Sequence, residues 1–168
     1  MIRTILHYPD ERLRNPGKPI ESITPEISAL IDDMAETMYA APGVGLAATQ
    51  IGEPYQLFVI DIANEDEPSD LRVFVNPQIL ERHDEITWTE GCLSFPGVQE
   101  DVERAARVKV KALDRNGKEF TLEAEGLLAV AVQHEYDHLQ GVLMIDHLGS
   151  LKKRMVHKKM QRRAAELA

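Results

Sequence analysis

Two histidines and a glutamate late in the chain have the spacing of a metal-binding helix. The stretch 133–138 reads Gln-His-Glu-Tyr-Asp-His. His134 and His138 are therefore four residues apart, and on a helix both imidazoles project from one face and can reach one metal ion. Glu135 is turned by one residue, toward a water molecule beside such an ion rather than the ion itself. The alternative interpretation is a helix that carries two surface histidines.

The only cysteine lies in a turn-forming stretch. Cys92 follows Glu90-Gly91 and precedes Leu-Ser-Phe-Pro-Gly, a composition that predicts a turn or the end of a strand. Three interpretations are open: a small buried hydrophobe, a nucleophile with His134 as its base, or the third ligand of a Cys-His-His metal set. Three protein ligands leave the fourth position open, which is typical of a catalytic rather than a structural metal site.

A glycine-rich segment, residues 43–52, contains a third candidate. Its sequence is Gly-Val-Gly-Leu-Ala-Ala-Thr-Gln-Ile-Gly. It differs from a phosphate-binding loop because no Gly-Lys-Ser/Thr follows and no strand precedes it. The pattern predicts a turn and a short strand of small residues, after which the side-chain amide of Gln50 can orient a carbonyl group.

The elements that must position these residues are mainly strands in the first part of the chain and helices later. Thr24-Pro25-Glu26 has the composition of a helix start, and Asn116-Gly117 that of a hairpin turn. The pattern predicts helices from Pro25 to about residue 41, from about Glu125 through His138 and from about His147 onward, strands over 56–62 and 72–76, and a hairpin over 108–124. This order predicts an α+β fold with antiparallel strands and hairpins around a central helix that carries the two histidines, and with a C-terminal helix.

Composition is that of an ordinary globular protein with one domain, residues 1–168. Hydrophobic residues make up 43% and charged residues 28% of the 168 positions, and this length fits one domain. The longest apolar run, Leu127 to Val132, is too short to span a membrane. The N-terminus lacks a signal-peptide pattern, and a single cysteine suits a reducing compartment. We therefore expect a cytoplasmic protein without a membrane segment.

Charge divides the chain into an acidic body and a basic tail. Residues 1–150 contain 12 basic and 27 acidic side chains, a balance of −15, whereas residues 151–168 contain 7 basic and 1 acidic, a balance of +6. The acidic body argues against a protein that is covered all over by nucleic acid. The tail has two interpretations: an amphipathic helix whose Leu151, Met155 and Val156 pack on the body, or an element that docks on a phosphate-rich surface.

The three chemical segments together resemble the peptide deformylase family. They occur in the order Gly-Val-Gly-Leu-Ala-Ala-Thr-Gln, Glu-Gly-Cys-Leu-Ser and Gln-His-Glu-x-Asp-His-Leu. The resemblance extends to Tyr8-Pro9-Asp10-x-x-Leu13-Arg14, to the turn at Asp114-x-Asn116-Gly117 and to Asp146, and so covers nearly the whole chain. It implies an enzyme that removes the N-formyl group from the formylmethionine of new polypeptides and releases formate.

The resemblance also implies a role for individual residues. Carried over by position, Cys92, His134 and His138 are metal ligands and Glu135 is the general acid and base. The side chain of Gln50 and the backbone N–H of Leu93 are implied as oxyanion donors. The residues implied around the methionine side chain are Val44, Gly45, Val130 and Ala131, although ordinary core packing also accounts for the apolar ones. The implied cofactor is one divalent transition metal ion per chain, usually Fe²⁺ in the family, with Zn²⁺, Ni²⁺ or Co²⁺ also accepted; ligand spacing alone does not choose among them.

Two further positions and one partner follow from the same resemblance. The family often has an arginine seven residues after the cysteine, where it helps to hold the substrate backbone, and this chain has Gln99 there. Arg104 matches a recurrent family arginine and is interpreted as structural, because it precedes a predicted strand. The C-terminal helix of some bacterial members binds the ribosome near the nascent-chain exit, which supports the docking interpretation of the basic tail.

Two other classes of protein fit less well. A zinc endopeptidase of the extended His-Glu-x-x-His type needs a third histidine, and Met144 stands at that position. A metal-stabilised binding module needs a fourth protein ligand. The remaining histidines are not at ligand spacing: His7, His83, His147 and His157.

Overall fold

The computed structural model describes residues 1–167 as a five-stranded antiparallel sheet with three helices. The strands follow one another in the sheet in chain order, and each pairs antiparallel with the next. The strands are β1 (Gly45–Ala47), β2 (Leu57–Ile60), β3 (Arg72–Gly91), β4 (Gln99–Leu113) and β5 (Glu119–Glu125), and the helices are α1 (Pro25–Ala40), α2 (Gly126–Leu139) and α3 (Ser150–Leu167). The predicted α+β architecture is confirmed.

Helix α1 holds the glycine-rich segment against the sheet. It begins as predicted, with the Thr24 hydroxyl accepting a hydrogen bond from the Ile27 N–H at 3.2 Å and with Pro25 in the first turn. Its apolar face packs on β1, β2 and the start of β3. The buried residues of α1 on that face are Ile27, Leu30, Ile31, Met34 and Met38. Because α1 ends just before Gly43, its packing places residues 43–45 at the edge of the sheet.

Helix α2 crosses the sheet and carries the two histidines. Gly126 has a φ of 62°, a conformation that favours glycine, and this lets the chain turn directly from β5 into the helix. The apolar side of α2 then packs on the central strands. The cluster there includes Phe58, Phe74, Val110, Ala129, Val132 and Leu139.

The hairpin formed by β3 and β4 is much longer than the sequence pattern predicted. The prediction ended one strand at Asn76 and began the next at Val108, whereas β3 continues to Gly91 and β4 begins at Gln99. Most side chains between residues 78 and 89 are exposed, so no alternation of apolar and polar residues marks this part as a strand. Shifts of register after Val75 and after Ile79 accommodate the interruption near Pro77.

Helix α3 packs on the body through fewer residues than its apolar composition indicated. It begins at Ser150, and not at His147, because residues 144–147 form a separate 3₁₀ turn. Val156 and Met160 are buried in a third cluster with Phe95, Val98 and Leu143. Leu151 and Met155 remain 65% and 62% exposed, so of the three residues that the packing interpretation named only Val156 packs on the body.

Among the residues that the structure describes, none of the helices combines the length and the apolarity that crossing a bilayer requires.

Candidate active site

A thiol and two imidazoles meet where the end of β3 approaches α2. Cys92 directly follows the last residue of β3 and begins a turn in which the Phe95 N–H donates to its carbonyl at 2.9 Å. His134 and His138 come from successive turns of α2. The Cys92 Sγ lies 3.4 Å from His138 Nε2, which lies 3.3 Å from His134 Nε2. Ligand atoms of all three residues lie within 4.8 Å of one another.

These spacings fit a divalent transition metal ion. Metal–nitrogen bonds of about 2.05 Å and a metal–sulfur bond of about 2.3 Å at tetrahedral angles place two nitrogens about 3.3 Å apart and nitrogen and sulfur about 3.6 Å apart. The observed distances of 3.3 Å and 3.4 Å are close to both values. A thiolate with two imidazoles also suits transition metals rather than Mg²⁺ or Ca²⁺. Cys92, His134 and His138 thus form a potential metal site.

The two imidazoles occupy opposite electrostatic environments, although both are buried. Burial alone would lower the pKa of His134, but Cys92 and Glu90 outweigh it and raise that pKa well above its usual value. Burial and the neighbouring His134 together hold the pKa of His138 well below its usual value. This environment favours the neutral form of His138, which is the form in which a histidine binds metal.

A buried network of charges orients His134. The His134 Nδ1–H donates to Glu90 Oε1 at 2.9 Å, which leaves Nε2 facing Cys92 and His138. Arg104 donates to both oxygens of Glu90 at 2.8 and 2.9 Å and to Asp137 at 2.6 Å. Burial alone would raise the pKa of Glu90, but Arg104 and His134 lower it to about 2. The sequence analysis predicted that Arg104 precedes a strand, but it lies within β4. Its contacts with Glu90 and Asp137 join β4 to β3 and α2.

Glu135 is a buried carboxylate with an unsatisfied oxygen. It is 4% exposed, and its Oε1 has no hydrogen-bond partner within residues 1–167. Burial raises its pKa to about 7, against the opposing effect of His134. A carboxyl group with a pKa near neutrality can both accept and return a proton at physiological pH.

The two glycines of residues 43–45 make room for other side chains of the site. A Cβ on Gly45 would lie 2.5 Å from Glu135 Oε2, and a Cβ on Gly43 would lie 2.7 Å from a methyl group of Leu93. Both distances are far below ordinary contact. A larger residue at either position would therefore displace the side chain of Glu135 or Leu93, which the backbone approaches closely.

Gln50 is held with its amino group toward the thiol. Its Oε1 accepts a hydrogen bond from the Ala47 N–H at 2.9 Å, and its Nε2 donates to Ser94 Oγ at 3.0 Å and points at Cys92 Sγ at 3.8 Å. The side chain is 1% exposed. These contacts fix which end of the amide faces the site, so Gln50 presents a donor there.

An open cleft of about 790 Å³ gives access to these groups. Every residue that the sequence analysis assigned to the site borders it except His138, which is 1% exposed. The cleft residues that the sequence analysis missed include Trp88, Thr89 and Leu127. Trp88 and Thr89 belong to the part of β3 that was not predicted. The only feature of the sequence that singled out Trp88 is that it is the single tryptophan of the chain.

A sheet packed on a His-Glu-x-x-His helix, with a thiol completing a potential metal site under an open cleft, defines a metal-dependent hydrolase. Residues 2–154 match the family model described as polypeptide deformylase. The peptide deformylase of Chromobacterium violaceum is 51% identical over 159 residues, which are 95% of this chain and 94% of the relative. That of Nitrobacter hamburgensis is 49% identical over 172 residues, covering 99% and 98% of the two chains.

Solved structures agree with the sequence relatives. A crystal structure of a peptide deformylase from Legionella pneumophila superposes with a TM-score of 0.93 at 48% identity, covering 99% of this chain and 98% of the other. That of the Ehrlichia chaffeensis peptide deformylase in complex with actinonin gives 0.91 at 34% identity, covering 96% and 97%. The chain belongs to the polypeptide deformylase family. It is a hydrolase that removes the N-formyl group from nascent peptides.

Proposed function

We propose that residues 1–168 form one catalytic domain in which Cys92, His134 and His138 hold a single divalent transition metal ion, with Fe²⁺ as the physiological ion. The ligand spacing and the sulfur and imidazole donors support a transition metal, and the family resemblance supports iron over Zn²⁺, Ni²⁺ or Co²⁺, which suit the same donors. Such an ion polarises a carbonyl group and lowers the pKa of water toward about 7. We place the enzyme in the cytoplasm, where formylated nascent chains are made.

Glu135 carries the proton in the proposed mechanism, and its unpartnered Oε1 is the observation that supports this role most directly. The carboxylate takes a proton from the water molecule that attacks the formyl carbon. It then delivers that proton to the departing amine nitrogen, so that formate and a free N-terminus are released. A pKa of about 7 suits a group that must do both at neutral pH.

Gln50 and Leu93 stabilise the negative charge that develops on the formyl oxygen. The Nε2 of Gln50 is already directed toward Cys92, and Leu93 contributes its backbone N–H from the adjacent position. Donors that are oriented before reaction lose no free energy to reorientation, and removal of one typically costs about 3 kcal/mol of transition-state stabilisation.

The methionine side chain occupies the apolar part of the cleft. Val44 is 46% exposed at the mouth, whereas Val130 and Ala131 are 3% and 5% exposed on the turn of α2 before His134. Gly45 lies against Glu135, because a Cβ on it would be 2.5 Å from Glu135 Oε2. With the methionine side chain in this pocket, the formyl group lies next to Glu135.

Formate release from formyl-Met-Ala-Ser, with metal analysis of anaerobically purified protein, tests these roles. Glu135→Ala should keep one metal ion per chain and lose turnover, because it removes the proton carrier without changing a ligand. Cys92→Ala should lose metal affinity and activity together. His83→Ala, at an exposed histidine of β3, is the matched control and should retain both. Full metal occupancy in Cys92→Ala would refute the ligand assignment.

We also propose that α3 docks the enzyme on the ribosome near the nascent-chain exit. Three exposed cations, Arg154, Lys158 and Arg162, lie four residues apart on one side of α3, and the acidic body is repelled by the same phosphate surface that attracts them. Binding should therefore weaken steeply as salt rises.

Substitution tests the docking proposal better than truncation, because removal of α3 would also remove Val156 and Met160 from a core cluster. Changing Arg154, Lys158 and Arg162 together to glutamine should weaken co-sedimentation with ribosomes and leave short-peptide hydrolysis unchanged. The control changes three exposed cations of the body, Arg12, Arg107 and Lys118. Equal co-sedimentation of the two variants at matched salt would show that α3 is not the docking element.

A further inference from the structure

Residues 92–98, which connect β3 to β4, form one wall of the cleft together with the first residue of β4. Two successive turns shape it: the Phe95 N–H donates to the Cys92 carbonyl at 2.9 Å, and the Val98 N–H donates to the Phe95 carbonyl at 3.1 Å. Gly97 has a φ of 75°, a conformation that favours glycine. The wall residues that border the cleft are Cys92, Leu93, Gly97, Val98 and Gln99.

Helix α3 supports this wall from outside. The Nζ of Lys159 donates to the Gly97 carbonyl at 2.6 Å. Val156 lies one helical turn before Lys159, and Met160 directly follows it. Both pack in the same cluster as Phe95 and Val98. The helix that we propose for docking is thus also in direct contact with the back of the substrate cleft.

The peptide plane between Gly97 and Val98 is held at both ends. Its carbonyl accepts from Lys159, and its N–H donates to the Phe95 carbonyl. Loss of the bond from Lys159 leaves this plane held only at its N–H, and because glycine has wide conformational freedom the Gly97 carbonyl can then tilt away from its present direction. Gln99, the next residue but one along the wall, stands where the family often has an arginine that holds the substrate backbone, so any such tilt displaces the rim where a peptide passes.

We infer that Lys159 is a positioning residue of the reaction, which sets the Gly97–Gln99 rim for peptides that extend beyond formylmethionine. The inference rests on the proposed substrate cleft. Lys159 contacts no group of the proposed metal site, and it acts through the backbone of Gly97. Its loss should therefore weaken binding of long substrates and leave the chemical step unchanged.

Steady-state kinetics with two substrates test this role. Formyl-Met-Ala-Ser extends along the cleft, whereas formylmethioninamide ends beside the metal ligands. Lys159→Ala should raise the KM for the tripeptide about three- to tenfold, the effect of losing one hydrogen bond at a solvent-exposed position, with kcat within about twofold and the KM for formylmethioninamide unchanged. Lys159→Arg, which keeps a charged donor, should restore most of the affinity.

Lys118 provides the matched control, because it is an exposed lysine of the turn between β4 and β5 with no side-chain hydrogen bond or ion pair to residues 1–167. Lys118→Ala should behave as the wild type with both substrates. An unchanged tripeptide KM in Lys159→Ala would overturn the inference, as would an equal rise with both substrates or a failure of arginine to rescue. Turnover that survives Glu135→Ala would instead overturn the proposed site.

Discussion

The close approach of Gly45 to Glu135 makes a single methyl group a test of the mechanism. In Gly45→Ala the new Cβ would lie 2.5 Å from Glu135 Oε2, 3.0 Å from its Cδ and 3.1 Å from its Cγ. Ordinary contact begins near 3.4 Å, so the carboxylate must move by about 0.9 Å. A misplacement of about 1 Å at a reacting group costs about 100-fold in rate, which corresponds to about 2.7 kcal/mol of activation free energy. We expect kcat for formyl-Met-Ala-Ser to fall by about that factor.

Metal content and stability separate this effect from misfolding. Gly45 does not have a positive φ, so alanine suits its backbone, and no ligand is changed; one metal ion per chain should remain. Gly149→Ala is the control, because a Cβ there meets nothing within 4 Å. Its kcat and melting temperature should match those of the wild type. A Gly45→Ala enzyme with full metal and kcat within about threefold of wild type would refute the role of Glu135 as positioned here.

Three other perturbations test the surrounding groups. Glu90→Gln removes the charged acceptor of the His134 Nδ1–H, so metal affinity should fall about 10- to 100-fold in a chelator titration; unchanged affinity would mean that Glu90 does not tune the ligand. Partial burial would raise the pKa of Asp146, but Arg14 and the Leu143 N–H outweigh it and lower that pKa. The ionised Asp146 therefore stabilises the fold at pH values above its unfolded pKa of about 4. This stabilisation is lost as the pH falls from there through the folded pKa. Asp146→Asn should therefore cost about 1 kcal/mol at pH 7, and the unfolding curves of variant and wild type should converge in acid; a constant difference would exclude the ionised group as its cause. If iron is bound by an accessible thiolate, activity should decay in air and persist after cobalt or nickel substitution, whereas air-stable activity of the protein as isolated, with one equivalent of zinc, would argue against iron.

The parts of the fold that could be predicted are those determined by residues close together in the sequence. Thr24 and Pro25 begin α1 because capping is a property of adjacent residues. The spacing of His134 and His138 indicated a shared face because helix geometry alone determines it. Cys92 at a strand end also followed from its neighbours. These are short-range relations, and they identified the candidate ligands before any tertiary structure was known.

The parts that were missed depend on contacts between distant residues. The second half of β3 is exposed, so its strand conformation comes from pairing with β4 and not from an apolar pattern. That omission also concealed Trp88 as a cleft residue. The hydrogen bonds that Glu90 accepts from His134 and Arg104 join positions 44 and 14 residues apart, and a local sequence pattern does not indicate them. The function of Gly45 was likewise only partly predicted, because its neighbour Glu135 is 90 positions later in the chain.

The long hairpin also has a consequence for association between molecules. Beyond Asn76 one edge of β3 pairs with β4, and within residues 1–167 no strand covers the other edge. Unpaired strand edges can recruit a second copy and so begin aggregation. The exposed run Glu81-Arg82-His83-Asp84-Glu85 and the nearby shifts of register oppose such pairing by charge and by twist. Neutralising that run should turn the hairpin into a site of edge-to-edge aggregation without altering any residue of the cleft.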